Sequence, residues 1–235
     1  MTKNEVLKEL KSYGNEGTKK TFLNHGAKEP FYGVQVQDLK KIQKKVKKDY
    51  NLAIELYDTG NSDAMYLAGL IADEKQMTKS DLNKWVKGAY WYMISEFTVP
   101  WVAADSKHGY ELGLMWIESK DEKVAASGWA TLASWASIRP DEEIDKKVFS
   151  KLLDRIEKTI HKAQNRERYA MNNFVIAIGG YITDLTDKAI KIAGKVGKVE
   201  VPMGNTSCKV PFAKEYIEKM IKMGRIGKKR KMARC

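Results

Sequence analysis

VQDLKKIQKKVKKDYNLAIEL, residues 36–56, is the stretch whose reading decides the fold. Leu39, Ile42, Val46, Ala53 and Leu56 recur at three- and four-residue steps or multiples of them, the stripe that helices bury against a core. The same rhythm marks further helical windows over roughly 2–12, 17–25, 62–73, 79–95, 97–106, 109–118, 122–137, 144–160, 166–179, 185–196 and 212–223, and no comparable alternating run appears. Segments of ten to sixteen residues joined by short polar turns, repeating about every 35 to 40 residues per pair, describe an all-α array of antiparallel helix pairs. An irregular helical bundle is the alternative.

Boundary chemistry agrees with this division. Ser62 before Asp63, Thr78 with Asp81 three residues on, and Asp141 after Pro140 can satisfy orphan amides at helix starts, and Gly60 and Gly180 suit helix ends. Lys195–Pro211 (KVGKVEVPMGNTSCKVP) breaks the rhythm and reads as a structured loop, about 197–211, before a last helix. The reading is one helical-repeat domain over 1–223 followed by a basic tail, 224–235.

The chain has 235 residues, enough to bury roughly 70–75% of its unfolded surface without disulfide or structural metal. With 43% hydrophobic and 31% charged residues it is too apolar for a disordered chain and too polar for a membrane protein. The N-terminus lacks the apolar segment of a signal peptide, and Cys208 and Cys235 make no disulfide framework or zinc spacing, so a soluble cytoplasmic protein is expected. His25, His108 and His161 stand in separate segments, Cys208 has no evident base, and no serine lies in a nucleophile elbow. No metal, cofactor or membrane partner is expected.

Lys and Arg outnumber Asp and Glu by 42 to 30, a formal charge of +12 that favours polyanions through counterion release, although solubility alone also explains such an excess. Lys40, Lys44, Lys47 and Lys48 are spaced to share one polar helix face. Residues 219–235 carry eight basic residues and no acid, with Lys228, Lys229, Arg230 and Lys231 at their centre, and read as a mobile phosphate-seeking tail or a merely solvated terminus.

The sharpest motif is AYWYMISEFTVPW, residues 89–101. Tyr92 and Glu96, four apart, put a ring and a carboxylate on one helix face, the equipment to hold a cationic ring and to stabilise positive charge developing on a sugar; a core aromatic beside a surface acid is the plain alternative. The helix is expected to break near Pro100.

GVQVQDLKKIQKKV, then LAIELYDTGNSDAMYLAGLIAD, then WYMISEFTVP resemble the AlkD-type alkylpurine DNA glycosylases over most of residues 30–190. The resemblance implies a HEAT-like α-α superhelix that cups duplex DNA and hydrolyses the glycosidic bond of cationic N3- or N7-alkylated purines. It assigns Tyr92 to the family's aromatic position and Glu96 to its carboxylate, and Trp91 beside Tyr92 is expected to contact the nucleotide. Gly128 and Trp129 stand where the family carries an arginine, and Ile176 where it carries a second tryptophan. Arg166 and Arg168 with Asn172 and Asn173 are candidate replacements, Arg168 and Asn172 lying four apart on a helix face. The functional expectation is a monomeric protein binding double-stranded, alkylated or distorted DNA, with glycosylase activity through Glu96, Tyr92 and Trp91. A non-catalytic module for branched or damaged DNA and a protein-interaction scaffold are the alternatives.

Overall fold

The computed structural model describes residues 1–234, so that Cys235 lies outside the described residues. Among them the regular elements are helical: α1 (Lys3–Ser12), α2 (Glu16–Asn24), α3 (Val36–Val46), α4 (Tyr50–Tyr57), α5 (Ser62–Ile71), α6 (Lys79–Gly88), α7 (Val99–Asp105), α8 (Gly109–Trp116), α9 (Glu122–Ile138), α10 (Lys146–Thr159), α11 (Asn165–Tyr181), α12 (Thr186–Val196) and α13 (Ala213–Lys222). Helices α5, α7, α9, α11 and α13 form a row, each packed on the one before it, while α4, α8 and α12 back them from the other side. This is the α-α superhelix expected from the spacing of the apolar stripes.

The stripe of residues 36–56 divides into two helices rather than one. Lys47 takes a positive φ of 65° and ends α3, and the Asp49 carboxylate then accepts the Leu52 amide to start α4. Leu39, Ile42, Ala53 and Leu56 are nevertheless all buried, because a turn of three residues returns the chain onto the same core. Aromatic rings form a ladder through that core, Tyr110 on Trp135, Trp135 on Phe149 and Phe149 on Phe174, the last pair with centroids 5.9 Å apart and nearly parallel.

Several boundaries move by a few residues for identifiable reasons. Thr78 and Asp81 make the expected reciprocal capping box, but α5 is capped by Asn61 rather than Ser62, and α10 by Asp145 rather than Asp141. Gly180 does not end α11. A Cβ there would lie 2.3 Å from Met220 Cε, so glycine lets α13 approach.

The C-terminal segment is not a free tail. From α13 it returns across the row: the Gly227 amide donates to Gly180 O (2.9 Å), the Arg230 amide to Ser137 O (2.8 Å) and the Ala233 amide to Asp105 Oδ1 (2.8 Å). It thereby passes the carboxyl ends of α11, α9, α7 and α5 in turn. Those ends carry partial negative charge and unpaired carbonyls, which the strap's amides and cations satisfy. Arg234, 6% exposed, donates to Ala72 O (2.9 Å) and pairs with Glu74 (2.5 Å) and Asp105 (3.2 Å).

Candidate functional site

The segment WYMISEFTVP leads into α7 without the expected break. Residues Met93–Thr98 form a π-helical turn, and the Thr98 hydroxyl donates to Met93 O five residues back. The wider turn accommodates Pro100, which sits in the first turn of α7, where its missing N–H costs little. The π turn sets Glu96 inward, 7% exposed, among α5, α9 and α11.

There it meets Arg166 from the start of α11. Nε donates to Oε1 and Nη2 to Oε2, both at 2.6 Å, a two-pronged pairing that occupies both carboxylate oxygens. The guanidinium lies between two rings, 4.8 Å from the Tyr92 centroid and 4.5 Å from that of Tyr169. Burial pushes the Glu96 carboxyl up to about 7, with Arg166 pulling it down and Glu122 adding to the rise. Glu122 itself accepts the Arg166 backbone amide at 2.7 Å, fixing the entry to α11.

The irregular loop from Gly197 to Phe212 closes over this pair. Met203 Sδ accepts from Arg166 Nη1 at 3.2 Å, Asn165 Nδ2 donates to Pro202 O (3.0 Å), and the Asn205 amide reaches Asn24 O of α2 (3.2 Å). What stays open is a cavity of about 220 Å³ bounded by His25, Tyr92, Arg166 and Met203, in which Glu96 has no part. Tyr92 therefore faces a cavity; the carboxylate does not.

The other predicted residues divide. Trp91 belongs to a small core cluster with Phe22 and Phe31, its Nε1 donating to His25 O at 2.9 Å, so its ring is no wall for a nucleotide. Arg166 is spent on Glu96 and is not free for a phosphate. Asn172 is buried, donating to Pro211 O at 3.0 Å to anchor the covering loop. Arg168 is half-buried, and it is Arg166 rather than Arg168 that joins Tyr92 and Glu96. Gly128 and Trp129 are both sealed in the core, a Cβ on Gly128 falling 2.6 Å from the Ile117 amide, so α8 packs where a longer side chain would have to emerge.

The lysine face and the strap come together. Lys44, Lys47 and Lys48 of the α3 end line a cleft of about 680 Å³ with Arg139 and Lys231, whereas Lys40 lies apart from it. Of its cations, Lys48 and Arg234 pair with Glu74 and Arg139 with Glu143, which leaves Lys44, Lys47 and Lys231 unpaired. Asn173, Ile176, Lys228 and Arg230 line a second groove, between α11, α13 and the strap. Tyr169 was not anticipated, although it follows Arg166 by three residues on one helix face; Met203 and Arg234 carried no local signal.

A family model described as DNA alkylation repair enzyme matches residues 6–216. The chain belongs to that family. Within it, the chain is 37% identical over 225 residues to the uncharacterized protein Lin0241 of Listeria innocua, covering 93% of this chain and 97% of that protein. It is 36% identical, with the same coverage, to the uncharacterized protein Lmo0209 of Listeria monocytogenes. A solved structure superposes on all of this chain and all of its own with a TM-score of 0.92 and 40% identity, and it is described as "A new family of proteins related to the HEAT-like repeat DNA glycosylases with affinity for branched DNA structures". The HEAT-like fold of this repair-family member is thus shown, and no helix among its described residues is long and apolar enough to cross a membrane.

Proposed function

We propose that this member of the DNA alkylation repair family binds branched or otherwise distorted double-stranded DNA and does not cleave the glycosidic bond. The observation that carries the reading is the Glu96–Arg166 pair. A carboxylate stabilises an oxocarbenium-like sugar only if its charge faces the sugar, and here both oxygens accept from one guanidinium beneath a loop. The basic cleft of Lys44, Lys47 and Lys231 supports phosphate contact, and the affinity for branched DNA named for the 40% identical neighbour supports the choice of substrate. Working as a monomer in the cytoplasm, one helical-repeat unit closed by its basic strap would need no metal or cofactor for this task.

The test is titration of a labelled four-way junction and of a linear duplex of equal length, beside an assay for base release from duplex containing N7-methylguanine. Tighter, salt-sensitive binding of the junction with no released base is the expected result. Release of the methylated base, abolished by Glu96→Gln, would overturn the non-catalytic reading.

A further inference from the structure

Between α11, α13 and the strap runs a groove of about 850 Å³ that the Glu96 site does not use. Tyr181 from α11 and Tyr216 from α13 are among its lining residues, Tyr216 being 49% exposed. Neither ring stacks on another ring or has its hydroxyl hydrogen-bonded among the described residues. It is also lined by the cations Lys219, Arg225 and Lys228, none of them paired with a carboxylate, and among the described residues no Asp or Glu lines the groove.

A solvated terminal helix does not need this arrangement. Elsewhere on the surface lysines stand beside acids, as in the pairs Lys79–Glu111, Lys84–Asp58 and Lys195–Glu157, whereas the lining of this groove carries cations without a carboxylate among the described residues. Here unpartnered rings and unpartnered cations share one concavity. A flat apolar body bearing negative charge is the complement of both, and in bound DNA that body is a nucleotide taken out of the base stack. A paired duplex offers phosphates but no free base face. A junction, bulge or other distortion offers both.

We infer that this groove seats one unstacked nucleotide of the bound DNA, its base against Tyr181 and Tyr216 and its phosphate among Lys219, Arg225 and Lys228. The inference rests on the DNA-binding reading above and adds the feature recognised. Tyr169 borders both sites, lining the groove and lying against the Arg166 guanidinium, so the Glu96–Arg166 pair supports one of the groove's lining rings from behind. The strap completes the lining, which gives its ordered return path a consequence for binding.

The experiment uses a duplex carrying a single bulged 2-aminopurine and the same duplex fully paired, titrated with the full-length protein. The expected results are binding of the bulge about tenfold tighter than of the paired duplex and quenched 2-aminopurine fluorescence at saturation. The double variant Tyr181→Ala/Tyr216→Ala should bind the bulge only as well as the paired duplex, whereas Tyr181→Phe/Tyr216→Phe should match wild type. Circular dichroism melting monitors folding. Should the double alanine variant melt early, Tyr216→Ser alone, at its half-exposed position, and the wild-type fluorescence decide. Equal binding of both DNAs, unquenched fluorescence, or an alanine variant indistinguishable from wild type would overturn the groove while leaving junction binding intact. Absence of binding to any of the DNAs, junction included, would instead remove the DNA-binding reading and the groove with it.

Discussion

Arg166 grips Glu96 with two hydrogen bonds of 2.6 Å across 70 residues of sequence, and its guanidinium lies against the rings of both Tyr92 and Tyr169. The pair joins the π turn before α7 to the first turn of α11, so it ties two members of the helix row that have α9 between them. That placement makes it a structural joint, and its energetics can be tested directly.

Arg166→Met leaves a buried carboxylate without its counter-charge and is expected to destabilise the protein by about 3–5 kcal/mol in urea unfolding. The double variant Glu96→Leu/Arg166→Met, which removes both charges while keeping apolar volume, should recover most of that loss. A double variant as unstable as Arg166→Met would show that the charge pair is not the source of the effect.

Stability should also depend on pH through Glu96. Its carboxyl is raised from the ordinary 4.5 to about 7 by burial, so below about 4.5 both folded and unfolded chains hold the proton and the contribution is complete. As pH rises towards 7 the unfolded chain releases that proton first, and native stability falls by about 3 kcal/mol before levelling off. Unfolding free energies of wild type and Glu96→Gln between pH 5 and 8 check this: the wild type should lose ground steadily against the variant, and parallel curves would refute it.

Asp63 is a second buried carboxylate with a different task. Its oxygens accept the backbone amides of Tyr32 (2.6 Å), Gly33 (3.0 Å) and Val34 (3.1 Å), pinning the chain between α2 and α3 to the start of α5. Asp63→Ala strands three amides, and a loss of about 2–4 kcal/mol is expected, read by thermal or urea unfolding. A loss below about 1 kcal/mol would mean that water replaces the carboxylate there.

Arg234 is predicted to lock the strap. Arg234→Ala should leave Glu74, Asp105 and the carboxyl end of α5 without their shared cation, lowering the melting temperature by several degrees. Lys229→Ala, which loses the pair with Asp141 and the hydrogen bond to Ala136 O, should lower it less than Arg234→Ala does. Faster amide exchange at Gly227, Arg230 and Ala233 in the Arg234 variant would locate the loosening; unchanged exchange would contradict the lock.

Much of the fold is legible along the chain because helices are local objects. Leu39, Ile42, Ala53 and Leu56 announce a buried face by their spacing, and Thr78 with Asp81 marks a helix start within four residues. Tyr92 and Glu96 are recognisable as a ring and a carboxylate on one side for the same reason, and the guanidinium of Arg166 does reach both. Where the chain departs from the local rule, as at Pro100, a π turn supplies room that residue spacing alone does not reveal.

The sequence by itself settled the helical class, the pairing rhythm, the cationic excess and the motif around Glu96, since each depends on contacts or charges counted within a few turns. Only the tertiary structure decided that Glu96 is neutralised by Arg166, that the 197–212 loop covers the pair, and that the basic C-terminus folds back over the helix ends. Those outcomes join residues tens to more than a hundred positions apart. A charged side chain looks the same in sequence whether it faces water, a phosphate or a buried partner, and the stacking of the helix pairs determines which of these it meets.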